Sequence, residues 1–224
     1  MYSIKDIVRS VERKGYTLDK RPYKLTVVGI RNGNPVSQDK FDDTLAYIYF
    51  DQNGNPQGRV GVATTDPSTF YLKNPMNQSG AAILKSGEYK DTYVVGTHAG
   101  KYTALVQRLK PVTVIRDKDR DGYTDFLNTT ESGFFGINIH RASRGKNNVA
   151  VIGRDSAGCQ VWQNEADFNA MMRAAEDSKA KYGNSFTYIL LDERDAFRRR
   201  NTWIVYAVGA VGVAYLLYRY LRNK

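Results

Sequence analysis

Sulfur and imidazole are scarce in this sequence: its 224 residues include one cysteine, Cys159, and two histidines, His98 and His140. A lone cysteine excludes an internal disulfide and leaves the redox compartment open. Two histidines and one cysteine without close spacing also fall short of a standard zinc ligand set, so neither a metal centre of that kind nor a cofactor is expected. The N-terminus lacks an apolar h-region, which argues against a cleavable signal peptide. Internal repeats and low-complexity stretches are missing too. Acidic residues are outnumbered 23 to 33, for a net charge of +10, a balance that ordinarily raises nucleic acid as a partner. The excess is concentrated at one end. Residues 194–224 carry seven basic residues and one acid, against 26 and 22 over residues 1–193. The body of the chain therefore has no strong basic field, and no nucleic acid partner is expected.

Long apolar runs are absent with one exception. Residues 201–218, NTWIVYAVGAVGVAYLLY, are uncharged and bracketed by Arg198, Arg199 and Arg200 before and by Arg219, Arg222 and Lys224 after. Such a stretch at ~1.5 Å per helical residue reaches about 27 Å, close to the hydrocarbon thickness of a bilayer. Trp203 and Tyr206 near one end and Tyr215, Tyr218 and Tyr220 near the other match interfacial anchors. Apolar residues on every side argue against an amphipathic surface helix. The expectation is a C-terminal transmembrane helix over residues 201–221, with a lipid bilayer as partner, behind a basic linker at 193–200.

Residues 1–20 read as a short amphipathic helix, because Ile4, Ile7, Val8 and Val11 recur at helical spacing between charges. Residues 21–192 form the domain. Runs at 24–30, 45–50, 59–63, 93–95, 102–106 and 112–115 are rich in Val, Ile, Tyr and Thr and separated by turn clusters such as RNGNP and DQNGNP, so they are predicted strands. Further strands are predicted at 134–140, 149–152 and 186–191. One long helix is expected between Asn164, a cap followed by Glu165 and Asp167, and Gly183, a stop. The fold class is mainly β, a β-rich α+β domain with one long helix after the cysteine.

The block that carries chemistry is Gly136-Ile137-Asn138-Ile139-His140 followed by Ser156-Ala157-Gly158-Cys159-Gln160-Val161. A thiol needs a neighbouring imidazole to take its proton before it becomes a good nucleophile. Two strands joined by a loop would bring His140 beside the turn holding Cys159. Glycine before the cysteine permits a tight turn whose Gly158 and Cys159 backbone N–H groups point outward as an oxyanion cradle. The plainer reading of Cys159 is a small buried hydrophobe, and that of His140 is a satisfied strand histidine. Ser156 either shapes the turn or donates a hydrogen bond.

These residues resemble the L,D-transpeptidases with a YkuD-type catalytic domain, whose motif is a histidine, about fourteen to seventeen residues, and then Ser/Thr-His-Gly-Cys. His140, Ser156, Gly158 and Cys159 fall on matching positions. Ala157 stands where the family usually has His or Arg, and Val161 where it usually has Asn or Arg. A closer likeness is to phage-encoded members in which FDD, ATTDP, LKNPMN and GINIHRA to SAGCQV recur in this order; here these are residues 41–43, 63–67, 72–77 and 136–161. The likeness spans roughly residues 20–170. It implies a cysteine that forms an acyl-enzyme with a peptidoglycan stem peptide and passes the acyl group to an amine or to water. With the anchor, the expectation is a membrane-anchored cysteine acyl-transfer enzyme of a phage virion, its anchor in an internal virion membrane and its domain meeting the cell wall during infection. Two alternatives stay open: a peptidoglycan endopeptidase or carboxypeptidase, and a non-catalytic virion membrane protein that binds cell wall or capsid proteins.

Three more residues are candidates for substrate binding. Arg141 and Arg154 flank the site and suit a substrate carboxylate, with a solvated surface as the alternative. His98, among the small residues of Gly96-Thr97-His98-Ala99-Gly100, is placed to line a cleft. Asp117, Asp119 and Asp121, followed by Gly122 and Asp125, match the first half of a calcium loop, but Asn128 stands where the bidentate Glu belongs. A polar turn and a weak calcium site are both compatible with that pattern.

Overall fold

Alternating side chains on three barrel strands, each apolar on both faces, organise the core of the protein. The computed structural model describes residues 2–33, 39–126, 128–142 and 148–196. Strand β1 (Thr26–Arg31) pairs parallel with β11 (Phe186–Asp192) and antiparallel with β2 (Asp43–Phe50). Val27, Leu45, Tyr188 and Leu190 point into the main core, whereas Val28, Ile30, Ala46, Ile48, Ile189 and Leu191 point the other way. The second face would meet water if helix α1 (Ile4–Arg13) did not cover it with Ile7 and Val11, both fully buried. Ser3 caps α1 by accepting the Asp6 N–H at 3.2 Å. The predicted N-terminal helix is thus packed into the same unit as the strands.

The sheet continues through β3 (Pro56–Thr64), β5 (Gly87–His98), β6 (Tyr102–Gln107), β9 (Ile139–Arg141) and β10 (Gln160–Trp162), and closes as a barrel in the order β1-β11-β5-β6-β9-β10-β3-β2. Helix α3 (Glu165–Tyr182) begins where Asn164 accepts the Ala166 N–H at 2.8 Å, and lays Phe168, Met171 and Ala175 on the core beside the fully buried Trp162. A second sheet of β4 (Ala81–Leu84), β7 (Val112–Asp117) and β8 (Thr130–Gly133) flanks the barrel, and a short helix α2 (Thr69–Lys73) follows β3. The mainly β class holds. The chain ends, as described, with α4 (Glu193–Ala196). Among the described residues no helix is long and apolar enough to cross a membrane; the expected span at 201–221 and most of the 193–200 linker lie outside those residues.

Two predicted strands are corrected. Of 134–140 only the end joins the barrel, as β9. The Gln107 side-chain oxygen accepts the N–H groups of Phe135, Gly136 and Ile137 at 3.1, 3.0 and 3.2 Å, so this backbone is satisfied by one amide and not by a neighbouring strand. Gly136, with φ 69, turns the chain there. Residues 149–152 form no strand either, because Ile152 and Gly153 donate their N–H groups to Asp39. The partner of β9 is β10, in parallel register with Val161 opposite His140. Cys159 therefore immediately precedes a strand.

Candidate active site

The cysteine turn is fastened to both sheets. Gly158 has φ 125, and a Cβ there would lie 2.2 Å from the Ala82 carbonyl oxygen on β4, so only glycine fits the approach. Ser156 is fully buried; its hydroxyl accepts the Gly158 N–H at 3.2 Å and has the carbonyls of Asp66 and Cys159 at 2.8 and 2.9 Å. Its own carbonyl accepts the Ser68 N–H at 2.9 Å. Ser156 therefore holds the turn instead of reaching into the site. The same bond corrects one half of the expected oxyanion cradle: the Gly158 N–H is turned inward to Ser156.

Beneath this turn lies a buried polar cluster built from two of the segments that carry the family likeness. Arg31, 2% exposed, ion-pairs with Asp66 at 2.7 Å and donates to the carbonyls of Thr65 and Leu84 at 2.9 and 2.8 Å. Asp43 accepts the Thr65 N–H and hydroxyl at 2.6 and 2.8 Å and the Asn32 N–H at 2.7 Å. Burial and the neighbouring Asp66 push the Asp43 carboxyl up to about 7. Gln160 ties the cluster to the turn by donating to the Thr65 and Gly158 carbonyls while accepting the Tyr188 hydroxyl at 2.6 Å.

Cys159 and His140 line one cavity of about 540 Å³, together with Met76, Gly136, Ile137 and Ala157. Cys159 is half-buried, and its thiol points to the Gly136 carbonyl at 3.5 Å. Burial pushes the thiol up to about 11, and the Asn138 backbone N–H facing the sulfur works against that rise. His140 is 3% exposed. Its Nδ1 lies 2.8 Å from the Arg141 carbonyl oxygen, which can only accept, so Nδ1 carries the proton and Nε2 keeps its lone pair. Nε2 is buried and has no hydrogen-bond partner. Burial, then the adjacent His98, hold the imidazole down at about 3, and it is uncharged at neutral pH.

His98 stacks on His140, ring centroids 4.1 Å apart and 20° from parallel. Asn138 fixes its tautomer. The Asn138 side-chain oxygen is engaged by the Gln107 N–H at 2.9 Å, which places the amide NH₂ at His98 Nδ1, 3.0 Å away. An NH₂ group only donates, so His98 Nδ1 must accept and the ring proton sits on Nε2. His98 thus offers one N–H to the site and stays neutral, in line with a pKa lowered by burial and by Lys101.

A second cavity, about 810 Å³, adjoins the first and shares Tyr71, His98, Ala99, His140, Arg154 and Asp155 with it. Arg141 lines only the larger one, its guanidinium 4.3 Å over the Tyr102 ring and 3.5 Å from Glu165. Arg154 is exposed, lies 4.3 Å over the Phe70 ring, and is at the mouth of both cavities. The structure thus gathers Cys159, His140, His98 and Arg154 at one cavity, puts Arg141 beside it, uses Gly158 and Ser156 as scaffold, and leaves Asp117, Asp119 and Asp121 outside both. Tyr102, Asn138 and Gln107 are site residues that the sequence reading missed. Asn138 stands inside the quoted GINIHRA motif, and that is the one signal that pointed to it.

An uncharged thiol and an uncharged imidazole on one cavity have a measurable signature. Alkylation of Cys159 by iodoacetamide is expected to accelerate about tenfold per pH unit from pH 7 to pH 10, because the thiolate fraction of a group near 11 grows that way. A rate that is flat between pH 5 and pH 8 would instead mean a preformed thiolate–imidazolium pair. No protein-family model, curated protein or solved structure matches this chain.

Proposed function

We propose that the protein is a cysteine acyl-transfer enzyme acting on peptidoglycan stem peptides, L,D-transpeptidase-like, and anchored in a virion membrane through residues 201–221. The observation that carries the chemistry is that His140 lines the cavity of Cys159 with its Nε2 unpartnered while Nδ1–H is held by the Arg141 carbonyl. That is the tautomer a general base needs. The stem-peptide substrate and the phage setting rest on the resemblance of the quoted motifs.

In this reading His140 takes the Cys159 proton as sulfur attacks the substrate carbonyl. A C–S bond forms, the tetrahedral oxygen is met by His98 Nε2–H, and the imidazolium returns its proton to the departing amine. An amine or water then attacks the thioester, and His140 takes its proton and passes it to sulfur as the C–S bond breaks. The two adjoining cavities give room for a donor on one side of His140 and an acceptor on the other. Arg154, shared by both, suits a substrate carboxylate.

Full-length protein in detergent, incubated with muropeptides, tests this. Cross-linked dimers would mark transfer and trimmed stems would mark hydrolysis, in which case the enzyme is an endopeptidase or carboxypeptidase. Unchanged muropeptides would end the enzymatic reading. The thiol pushed up to about 11 favours the non-catalytic alternative, a virion membrane protein that binds cell wall or capsid partners; that reading requires Cys159 to stay unacylated by any donor peptide.

A further inference from the structure

The hairpin joining β5 to β6 turns through Ala99 and Gly100, at φ 49 and 70, and the Lys101 N–H closes it on the His98 carbonyl at 2.9 Å. Two successive left-handed residues give a tight turn whose twist matches its strands. That turn sets His98 and Tyr102 opposite each other across the two strands, and both reach His140. His98 stacks on the face of the imidazole. Tyr102 comes to its edge, with the phenol oxygen 3.2 Å from Nδ1 and 3.3 Å from the Arg141 carbonyl oxygen. The phenol ring is itself held in place: the Arg141 guanidinium lies over it, the Phe168 ring meets it edge-on at 6.2 Å, and the His98 ring is 5.5 Å away. Glu165, 3.5 Å from Arg141, steadies the guanidinium in turn.

The protons around Nδ1 follow by elimination. The Arg141 carbonyl only accepts and lies nearest, at 2.8 Å, so the Nδ1 proton points to it. With Nδ1 protonated, the phenol proton goes to the same carbonyl, and the phenol oxygen is left facing Nδ1–H with its lone pairs. Burial keeps the phenol up at about 12, so that proton stays in place. In the proposed reaction the proton leaving the Cys159 sulfur arrives on Nε2 as the C–S bond forms, and a buried imidazolium carries it until the departing amine takes it. His98 and Arg141 both disfavour a cation at His140, and the Arg141 carbonyl favours one. We infer that Tyr102 is a positioning residue for His140, its phenol oxygen sharing the Nδ1 proton with the Arg141 carbonyl so that the ring keeps its orientation and the imidazolium gains a second acceptor. The catalytic consequence rests on the acyl-transfer reading; the hold on Nδ1 does not. A hydrogen bond from a charged donor is stronger than one from a neutral donor. The contact therefore tightens in the transition state, and an interaction of that kind raises kcat and leaves substrate binding alone.

Tyr102→Phe tests this, because it removes the phenol oxygen and keeps the ring on which Arg141 and Phe168 pack. Full-length variant in detergent, given muropeptides, should lose roughly tenfold in kcat with KM unchanged. A cavity that had merely loosened would raise KM as well. Nitrogen-15 spectra of the imidazoles supply a readout that needs no substrate; the chain has two histidines, and His98→Gln assigns them. His140 should show a slowly exchanging proton on Nδ1, and Tyr102→Phe should speed that exchange several-fold without moving the proton to Nε2. Wild-type kcat in Tyr102→Phe, or an Nδ1 proton that exchanges no faster, overturns the inference. So does a faster variant, which would mean that the phenol donates to Nδ1 and holds the unreactive tautomer. Wild-type protein that leaves muropeptides unchanged ends the enzymatic reading, and the imidazole spectra still decide whether Tyr102 holds Nδ1.

Discussion

Cys159→Ala is expected to abolish muropeptide turnover, a loss of about 10⁴-fold or more, while His140→Ala keeps a trace, lower by roughly 10²- to 10⁴-fold. The difference follows from the thiol at about 11. At pH 7 only on the order of one molecule in 10⁴ carries a thiolate, so the proposed reaction depends on an imidazole that takes the proton as the C–S bond forms. Without His140 that small thiolate fraction is all that reacts. The sign in pH is then fixed: the residual rate of His140→Ala climbs about tenfold per unit from pH 7 to pH 10. The wild-type rate stays flat where His140 is neutral and Cys159 protonated, from well above about 3 to well below about 11. Removing both residues should cost no more than removing Cys159, since they act as one unit. Wild-type rates in His140→Ala would remove His140 from the mechanism.

The largest stability effect is expected from Arg31→Met, about 3–5 kcal/mol, because it strips the buried cation from the half-buried Asp66 and from beside the buried Asp43. A marginally stable domain loses much of its margin at that cost. Asp66 loses its 2.7 Å partner, and the Thr65 and Leu84 carbonyls lose donors. Asp43, already held near 7 by burial and Asp66, would rise further. A carboxyl whose folded value is raised favours the fold while protonated; that contribution is complete below the unfolded value of 3.8 and is lost as pH rises through the folded value. The deficit of Arg31→Met in urea unfolding should therefore be smaller at pH 5 than at pH 8. An equal deficit at both would assign the cost to lost hydrogen bonds and packing instead of uncompensated charge. Because Thr65 and Asp66 hold Gln160 and Ser156, the variant should also loosen the cysteine turn.

Much of the barrel is legible locally. β2 alternates Leu45, Tyr47 and Tyr49 toward one core with Ala46, Ile48 and Phe50 toward the other, and Asn164 and Gly183 mark α3 by capping chemistry alone. What misleads is long-range satisfaction of the backbone. The run 134–138 is as apolar as a strand, yet the Gln107 side chain, some 30 positions away, takes its N–H groups. Val149 and Ile152 look strand-like because they pack on Phe41 and Val161 from a loop. The actual partner, Gln160–Trp162, is three residues long and too short to read as a period.

The site divides the same way. His140 and Cys159 are visible as residue types at a workable spacing, whereas the His98 stack depends on the β5–β6 hairpin, and the tautomer of His98 on an amide fixed by Gln107. Arg31 opens the turn cluster RNGNP and carries no sign of burial in the sequence. Only the fold shows that Asp43 and Asp66 close over it beneath the cysteine turn, giving the FDD and ATTDP segments a physical role.

Trapping of the acyl-enzyme tests the central claim most directly. Full-length protein mixed with a tetrapeptide-stem muropeptide, quenched in acid and weighed intact, should gain the mass of the acyl donor less its departing group. Peptide mapping should place that mass on Cys159, and hydroxylamine should remove it, as thioester chemistry requires. The adduct should be absent from Cys159→Ala. An unmodified Cys159 after incubation with every stem peptide, under conditions where iodoacetamide at pH 10 still labels it, would contradict the account.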